Sequence, residues 1–76
     1  MQKTMYNRIY DTETAELIKK YTFGQYGDPE GYEECLFRTA DGYYFLFVRG
    51  GVQSPYPKED LLRLGKLKAD IWLKEY

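Results

Sequence analysis

The side chains best suited to chemistry lie in one short stretch. The carboxylates there belong to Asp28, Glu30, Glu33 and Glu34, and the thiol beside them is Cys35. Glu33 and Glu34 are adjacent in a predicted strand, so they point to opposite faces and cannot share a proton or flank a scissile bond. The spacing of Asp28, Glu30 and Glu33 is not that of a dedicated calcium loop. These acids therefore indicate no catalytic pair and no metal site.

The chain contains no histidine. This excludes a histidine base, a histidine metal ligand and the Ser-His and Cys-His pairs of nucleophilic catalysis. Cys35 lies among apolar neighbours with no base nearby, which is typical of a buried hydrophobic residue rather than a nucleophile. Gly24, Gly27 and Gly31 do not follow the spacing of a phosphate-binding loop. We therefore predict that the protein is not an enzyme and uses no cofactor.

Length and composition predict one soluble domain over residues 1–76, with 43% hydrophobic and 30% charged residues. A net charge of −1 lacks the basic excess of a protein that simply coats DNA. The single cysteine fits a reducing cytosol, and no apolar run is long enough for a signal peptide or a membrane span. We therefore expect a cytoplasmic protein with no membrane partner.

Charge and tyrosine content are both unevenly distributed. The segment from Tyr10 to Glu34 carries seven acids against two lysines, whereas Cys35 to Tyr76 carries seven bases against five acids. If these segments stay apart in space, the folded surface is dipolar. Tyrosine, present nine times, is enriched at protein interfaces, although tyrosines also rim small cores. The candidate partner-binding surface combines tyrosines with acids: Tyr26, Asp28, Glu30, Tyr32, Glu33 and Glu34.

The strongest structural pattern is the stretch from Tyr32 to Gly51, where two aromatic-rich runs flank Asp41-Gly42. An Asp-Gly pair suits a two-residue type I′ turn, because both central residues take positive φ. This turn would pair Phe37 with Leu46. Both faces of the hairpin are apolar at mid-strand, so we expect other elements to cover them or part of one face to bind a partner.

The remaining segments complete a small α+β domain. Met1 to Tyr10 is predicted to be one short strand, and residues 14–23 fit either a strand or a helix, with the strand preferred because a lone hairpin needs a third strand. A helix is predicted from Pro57 to the C-terminus with an irregularity at Gly65. In the alternative, the helix ends at Leu64 and residues 66–74 form a strand. The expected fold is a three- to four-stranded antiparallel sheet with a central Asp-Gly hairpin and one C-terminal helix packed on it.

Three segments carry a resemblance to a known group. YDTETAELI (Tyr10–Ile18), YEECLFRTADGYYFL (Tyr32–Leu46) and ADIWLKE (Ala69–Glu75) resemble small proteins of prophages, plasmids and integrative elements of Gram-positive bacteria. The chain departs from that pattern in its short, proline-bounded segment before the helix. The resemblance implies a mobile-element context, in which some small proteins inhibit host defence, including CRISPR nucleases.

Together with the acidic, tyrosine-bearing surface, this resemblance implies an interaction protein in the cytoplasm of a bacterial host cell. It would inhibit a host nuclease, such as Cas9, by occupying the basic nucleic-acid channel of that enzyme with this surface. One alternative is a nucleic-acid-binding regulator that uses basic residues predicted to lie on the C-terminal helix. These residues are Lys58, Arg63, Lys66 and Lys68. A further alternative is a homodimerising accessory protein, which the wide apolar arc of the predicted helix favours.

Overall fold

The computed structural model describes residues 1–25 and 27–76, and in these ranges the chain forms six strands and one helix. In chain order they are β1 (Gln2–Met5), β2 (Arg8–Asp11), β3 (Glu16–Phe23), β4 (Tyr32–Arg38), β5 (Tyr44–Gly50), β6 (Asp60–Leu64) and α1 (Lys66–Glu75). Strands β1 and β2 form one antiparallel pair, and β3 to β6 form a four-stranded antiparallel sheet in chain order. The predicted α+β class is confirmed.

The central hairpin joins β4 to β5 through a three-residue loop. The amide of Thr39 donates to the carbonyl of Tyr43 at 2.8 Å, and the amide of Gly42 donates to the carbonyl of Thr39 at 2.9 Å. Gly42 takes φ +89°, so the loop is a β-turn closed by a left-handed glycine. The predicted two-residue turn is therefore wrong, and Leu46 pairs with Leu36 instead of Phe37.

This difference of one residue decides which side chains share a face. Side chains alternate along a strand, so a slip of one residue moves every side chain of β5 to the other face relative to β4. In the observed register Leu36, Leu46 and Val48 form one core cluster. Phe37 and Phe45 lie on the opposite face, where their rings stack with centres 5.3 Å apart.

The N-terminal segment is a hairpin and not the single strand predicted from Met1 to Tyr10. Its two-residue turn is Tyr6-Asn7, and both residues take positive φ, +51° and +62°. This is the type of two-residue turn that was predicted for Asp41-Gly42. The ring of Tyr10 is fully buried and packs edge-on against Phe45. The hairpin thus covers the face of the large sheet that carries the phenylalanines.

The strand preferred for residues 14–23 is confirmed over Glu16–Phe23, which form β3. A bulge at Ile18 interrupts its pairing, because Leu17 lies opposite Phe37 while Lys19 lies opposite Leu36. Leu17 consequently points to the face opposite to that of Tyr21. The bulge and the two lysines that follow it are features that discourage further pairing on this edge of the sheet.

The C-terminal region combines a strand with a shorter helix. The predicted start of the helix at Pro57 is wrong, because residues 60–64 form β6. The alternative, a helix ending at Leu64 followed by a strand over residues 66–74, is also wrong, because the strand comes first and the helix follows it. Leu61 packs against Tyr10 and Phe45, whereas Leu62 and Leu64 pack against the other core cluster. The wide apolar arc therefore reflects a strand with a core on each side. Gly65 adopts an extended conformation before the helix begins at Lys66.

Helix α1 covers the second face of the sheet. Ala69 and Trp72 are its buried residues, and they pack on Leu36, Leu46 and Val48. Helix α1 thus covers one face of the four-stranded sheet and the N-terminal hairpin covers the other. Such covering was expected, because the central hairpin is apolar on both faces. No helix within the described ranges has the length and the apolar run that crossing a membrane requires.

Candidate partner-binding surface

Glu33 and Glu34 point to opposite faces of the sheet, as predicted, and have different surroundings. Glu34 is only 7% exposed and lies beneath the helix. Its Oε1 accepts a hydrogen bond from Nε1 of Trp72 at 2.8 Å, and its Oε2 accepts one from the hydroxyl of Tyr56. A buried carboxylate needs such donors to offset its desolvation. Glu34 therefore anchors the helix to the sheet and is covered from any partner.

Burial and the nearby carboxylate of Glu34 both affect the pKa of Tyr56. Burial, followed by the hydrogen bond to Glu34 and the negative charge of that residue, raises the pKa of the Tyr56 hydroxyl well above its ordinary value. Tyr56 therefore keeps its proton and remains the donor in this pair. The arrangement is a structural hydrogen bond and supplies no base for proton transfer.

Glu33 lies on the opposite face of the sheet from the helix, where two cations neutralise it. Its carboxylate contacts Nζ of Lys20 on β3 at 3.0 Å and Nε of Arg49 on β5. Burial alone would raise the pKa of Glu33, but hydrogen bonds from Lys20 and Arg49 outweigh it and lower the pKa below its ordinary value. One carboxylate between two cations leaves a positive excess, so this position adds no net negative charge to a surface.

Asp28 and Glu30 are the exposed acids of the predicted surface. Oδ1 of Asp28 accepts the amide of Glu30 at 3.0 Å, and the carbonyl of Asp28 accepts the amide of Gly31 at 3.0 Å. These bonds form a turn in which the aspartate side chain caps the backbone. The turn presents two carboxylates at the end of the sheet where β3 ends and β4 begins.

This turn is attached to the segment that follows β5. The amide of Gly51 donates to the carbonyl of Gly31, and the amide of Gln53 donates to the carbonyl of Pro29, both at 2.9 Å. We call Asp28–Gly31 together with Gly51–Ser54 the loop end of the molecule. Its backbone bonds fix the positions of Asp28 and Glu30.

Tyr32 lies beside the loop end in a group of aromatic rings. Its ring stacks on Phe23 with centres 5.3 Å apart and meets Tyr56 edge-on at 5.5 Å. Burial raises the pKa of its hydroxyl, with a further contribution from Tyr21 and Glu34. Tyr32 is half-buried, and Phe23 is 49% exposed, so Phe23 is the more accessible aromatic side chain here. Tyr26, the other tyrosine of the predicted partner-binding surface, lies outside the described residues.

The structure separates the basic residues that were predicted to share one helix. Lys66 and Lys68 are exposed in α1, Arg63 lies on β6, and Lys58 lies in the loop before β6. Lys58 also lines an open groove of about 470 Å³ with Tyr56 and Leu62. The four cations therefore do not form the single helical stripe that the sequence predicted.

Two arginines near the other end of the sheet form contacts that the sequence did not predict. Arg8 lies over the ring of Tyr43, and Arg63 lies over the ring of Tyr6. We call these four residues the arginine–tyrosine cluster. The pairing of β5 with β6 and the position of the N-terminal hairpin bring them together. The one signal in the sequence was the spacing of Tyr6 and Arg8, which would share a face of the strand predicted from Met1 to Tyr10.

The remaining candidates for chemistry are the thiol of Cys35 and groups of side chains that could bind a metal ion. Cys35 is buried, and burial raises the pKa of its thiol, which is the opposite of what a nucleophilic cysteine requires. Over residues 1–25 and 27–76, no group of three acidic, cysteine or histidine side chains is arranged to hold a metal ion.

Comparison of the chain with protein-family models, with curated proteins and with solved structures returns no match.

Proposed function

We propose that this protein is a non-catalytic interaction protein that inhibits a host-defence nuclease in the bacterial cytoplasm. In this proposal the loop end enters a basic nucleic-acid channel, and Asp28 and Glu30 take the place of two phosphates. The resemblance to small mobile-element proteins makes a nuclease of the Cas9 type the first partner to test.

One observation carries the proposal: both exposed carboxylates lie on a turn that backbone hydrogen bonds attach to the segment directly after β5. A pre-ordered acidic loop loses little conformational freedom when it binds, so more of its interaction energy appears as affinity. Complementary charge also speeds encounter with a basic surface. Phe23, which is half-exposed beside the loop end, supplies apolar contact area.

The experiment compares two variants of equal net charge in a nuclease cleavage assay. Asp28→Asn with Glu30→Gln removes the two charges, and the asparagine oxygen can still accept the amide of Glu30. Glu13→Gln with Glu75→Gln removes two charges from exposed positions elsewhere. We expect the first pair to weaken inhibition by about tenfold or more, since close charge pairs at interfaces couple strongly. The second pair should inhibit as the wild type does.

Two outcomes would contradict the proposal at different levels. Equal inhibition by both double variants would show that the loop end is not the contact surface. Absence of inhibition by the wild-type protein, together with no nuclease among proteins captured from a nuclease-treated Gram-positive lysate, would reject the inhibitor function itself.

A further inference from the structure

The arginine–tyrosine cluster consists of two stacked pairs that hold the β1–β2 turn against the large sheet. Cζ of Arg8 lies 3.9 Å from the ring centre of Tyr43, and Nη2 of Arg8 donates to the Tyr43 hydroxyl at 2.8 Å. Cζ of Arg63 lies 4.6 Å from the ring centre of Tyr6. Stacking orders both guanidinium groups and leaves their charge in place.

The cluster is open to solvent. Tyr6 is 73% exposed and Tyr43 is 37% exposed, and both arginines are exposed as well. In the part of the chain that the structure describes, the cations within 4.0 Å of a carboxylate are Lys3, Lys20 and Arg49. The guanidinium groups of Arg8 and Arg63 are therefore not neutralised by any described acid.

We propose that this cluster binds single-stranded nucleic acid. Ordered guanidinium groups make forked hydrogen bonds to phosphate, and exposed tyrosine rings stack on unpaired bases. Bases in a duplex are already stacked on each other, so the tyrosines favour a single strand. This surface differs from the lysines of the helix and from the loop end, and the proposal does not depend on the proposed function.

The acids around the cluster set the expected strength of binding. Asp41 is exposed in the loop that leads to Tyr43. Glu16 on β3 and Arg38 on β4 lie opposite each other in the strand register at this end of the sheet. Asp28 and Glu30 lie at the other end, roughly 20 Å away along strands of seven residues. That separation exceeds the screening length of about 8 Å at physiological salt, so the loop end has little effect on the cluster. We therefore expect weak, salt-sensitive binding that Asp41 opposes.

Fluorescence anisotropy with a labelled oligothymidylate tests the proposal at low salt. We expect the double variant Arg8→Lys with Arg63→Lys to bind at least several-fold more weakly, because lysine keeps the charge but loses the planar stack. Arg8→Ala with Arg63→Ala should also lower the salt slope by about 1.4, or 0.7 for each lost phosphate contact on a single strand. Asp41→Asn should bind more tightly than the wild type.

The control variant is Lys66→Ala with Lys68→Ala, which removes two cations from the helix and should bind as the wild type does. Far-ultraviolet circular dichroism verifies that each variant is folded. The proposal is overturned if the wild type does not bind the oligonucleotide, if the lysine and alanine variants of the arginines bind normally, or if the helix variant loses binding equally. Preference for a duplex of the same length over the single strand would also overturn it.

Discussion

The two ends of the four-stranded sheet are held together by different kinds of bond. At the loop end, main-chain hydrogen bonds join Gly51 to Gly31 and Gln53 to Pro29. At the other end, side chains of the arginine–tyrosine cluster join the N-terminal hairpin to the sheet. Further along that hairpin, Lys3 forms an ion pair with Asp60 on β6, with a distance of 2.8 Å between Nζ and Oδ1.

This difference predicts how each end responds to change. Main-chain bonds do not titrate and are insensitive to side-chain charge, but they need close approach of two backbones. Exposed ion pairs and cation–ring contacts are weakened by salt, pH and single substitutions. We therefore expect the loop end to be the more rigid of the two and the N-terminal hairpin to open first.

The largest effect is expected for Gly51→Ala. A Cβ at this position would lie 2.6 Å from the carbonyl carbon of Pro29 and 2.7 Å from the carbonyl oxygen of Asp28, where only backbone could move. The loop end would have to separate, at a cost of about 3 kcal/mol in the free energy of unfolding, at the upper end of the range for overpacking. Urea denaturation measures this loss.

Gly65→Ala is the matched control, because a Cβ at Gly65 meets no described atom within 4 Å and its φ is −70°. We expect it to change stability by less than about 0.5 kcal/mol, as surface substitutions usually do. Equal stability of the two alanine variants would show that the loop end is not tightly packed.

The second effect separates two neighbouring carboxylates. Glu34→Ala leaves Nε1 of Trp72 buried without its acceptor, which should cost about 1–3 kcal/mol. Glu33→Ala removes only ion pairs to lysine and arginine side chains that are about half exposed, so we expect a loss below about 1 kcal/mol. Thermal unfolding of the two variants checks the order, and a larger loss for Glu33→Ala would contradict the assigned roles.

The third effect concerns the N-terminal hairpin alone. Arg8→Ala removes a hydrogen bond and a cation–ring contact, and we expect it to destabilise the hairpin by about 1 kcal/mol. Amide hydrogen exchange should accelerate in β1 and β2 while β4 and β5 keep their protection. Uniform acceleration across both sheets would show that the hairpin does not open independently.

The sequence predicted the fold class well because that class depends on local patterns. The alternating aromatic runs on each side of Asp41-Gly42 are enough to indicate a hairpin, and the residues from Ala69 to Trp72 are helical as expected. The register failed because an Asp-Gly pair suits both a two-residue and a three-residue loop. Thr39 decides between them, since its Oγ1 accepts the amide of Tyr43 at 3.0 Å and favours the longer loop.

The candidate surface was only partly predictable for a related reason. Alternation correctly separated Glu33 from Glu34, but the burial of Glu34 depends on Trp72, which is 38 residues away in the chain. Likewise, Arg63 contacts Tyr6 only because residues 60–64 form a strand beside the N-terminal hairpin. The apolar pattern of these residues had predicted a helix, so the contact was not foreseen. Contacts between distant segments follow from topology, and no local pattern encodes them.

The smallest effect is the response of stability to acid. The hydrogen bond from Lys3 and the amide of Leu61 hold the pKa of Asp60 below its ordinary value of 3.8. A carboxylate with a lower pKa in the folded state stabilises the protein above its unfolded pKa and loses that contribution as the pH falls through the folded value. The side chain of Asp60 is about half exposed, so we expect a loss of only a few tenths of a kcal/mol below about pH 4.

Asp60→Asn tests this dependence, because it should remove that part of the acid-induced loss. Lys3→Met should remove only the share that comes from the ion pair, since the amide of Leu61 still donates to Asp60. Urea denaturation between neutral pH and about pH 3 gives the free energy of unfolding for each variant. Hydrogen exchange at the amides of Gly51 and Gln53, corrected for the intrinsic rate at each pH, should show no matching change at the loop end. If acid instead released the loop end before the N-terminal hairpin, the contrast between main-chain and side-chain attachment would fail.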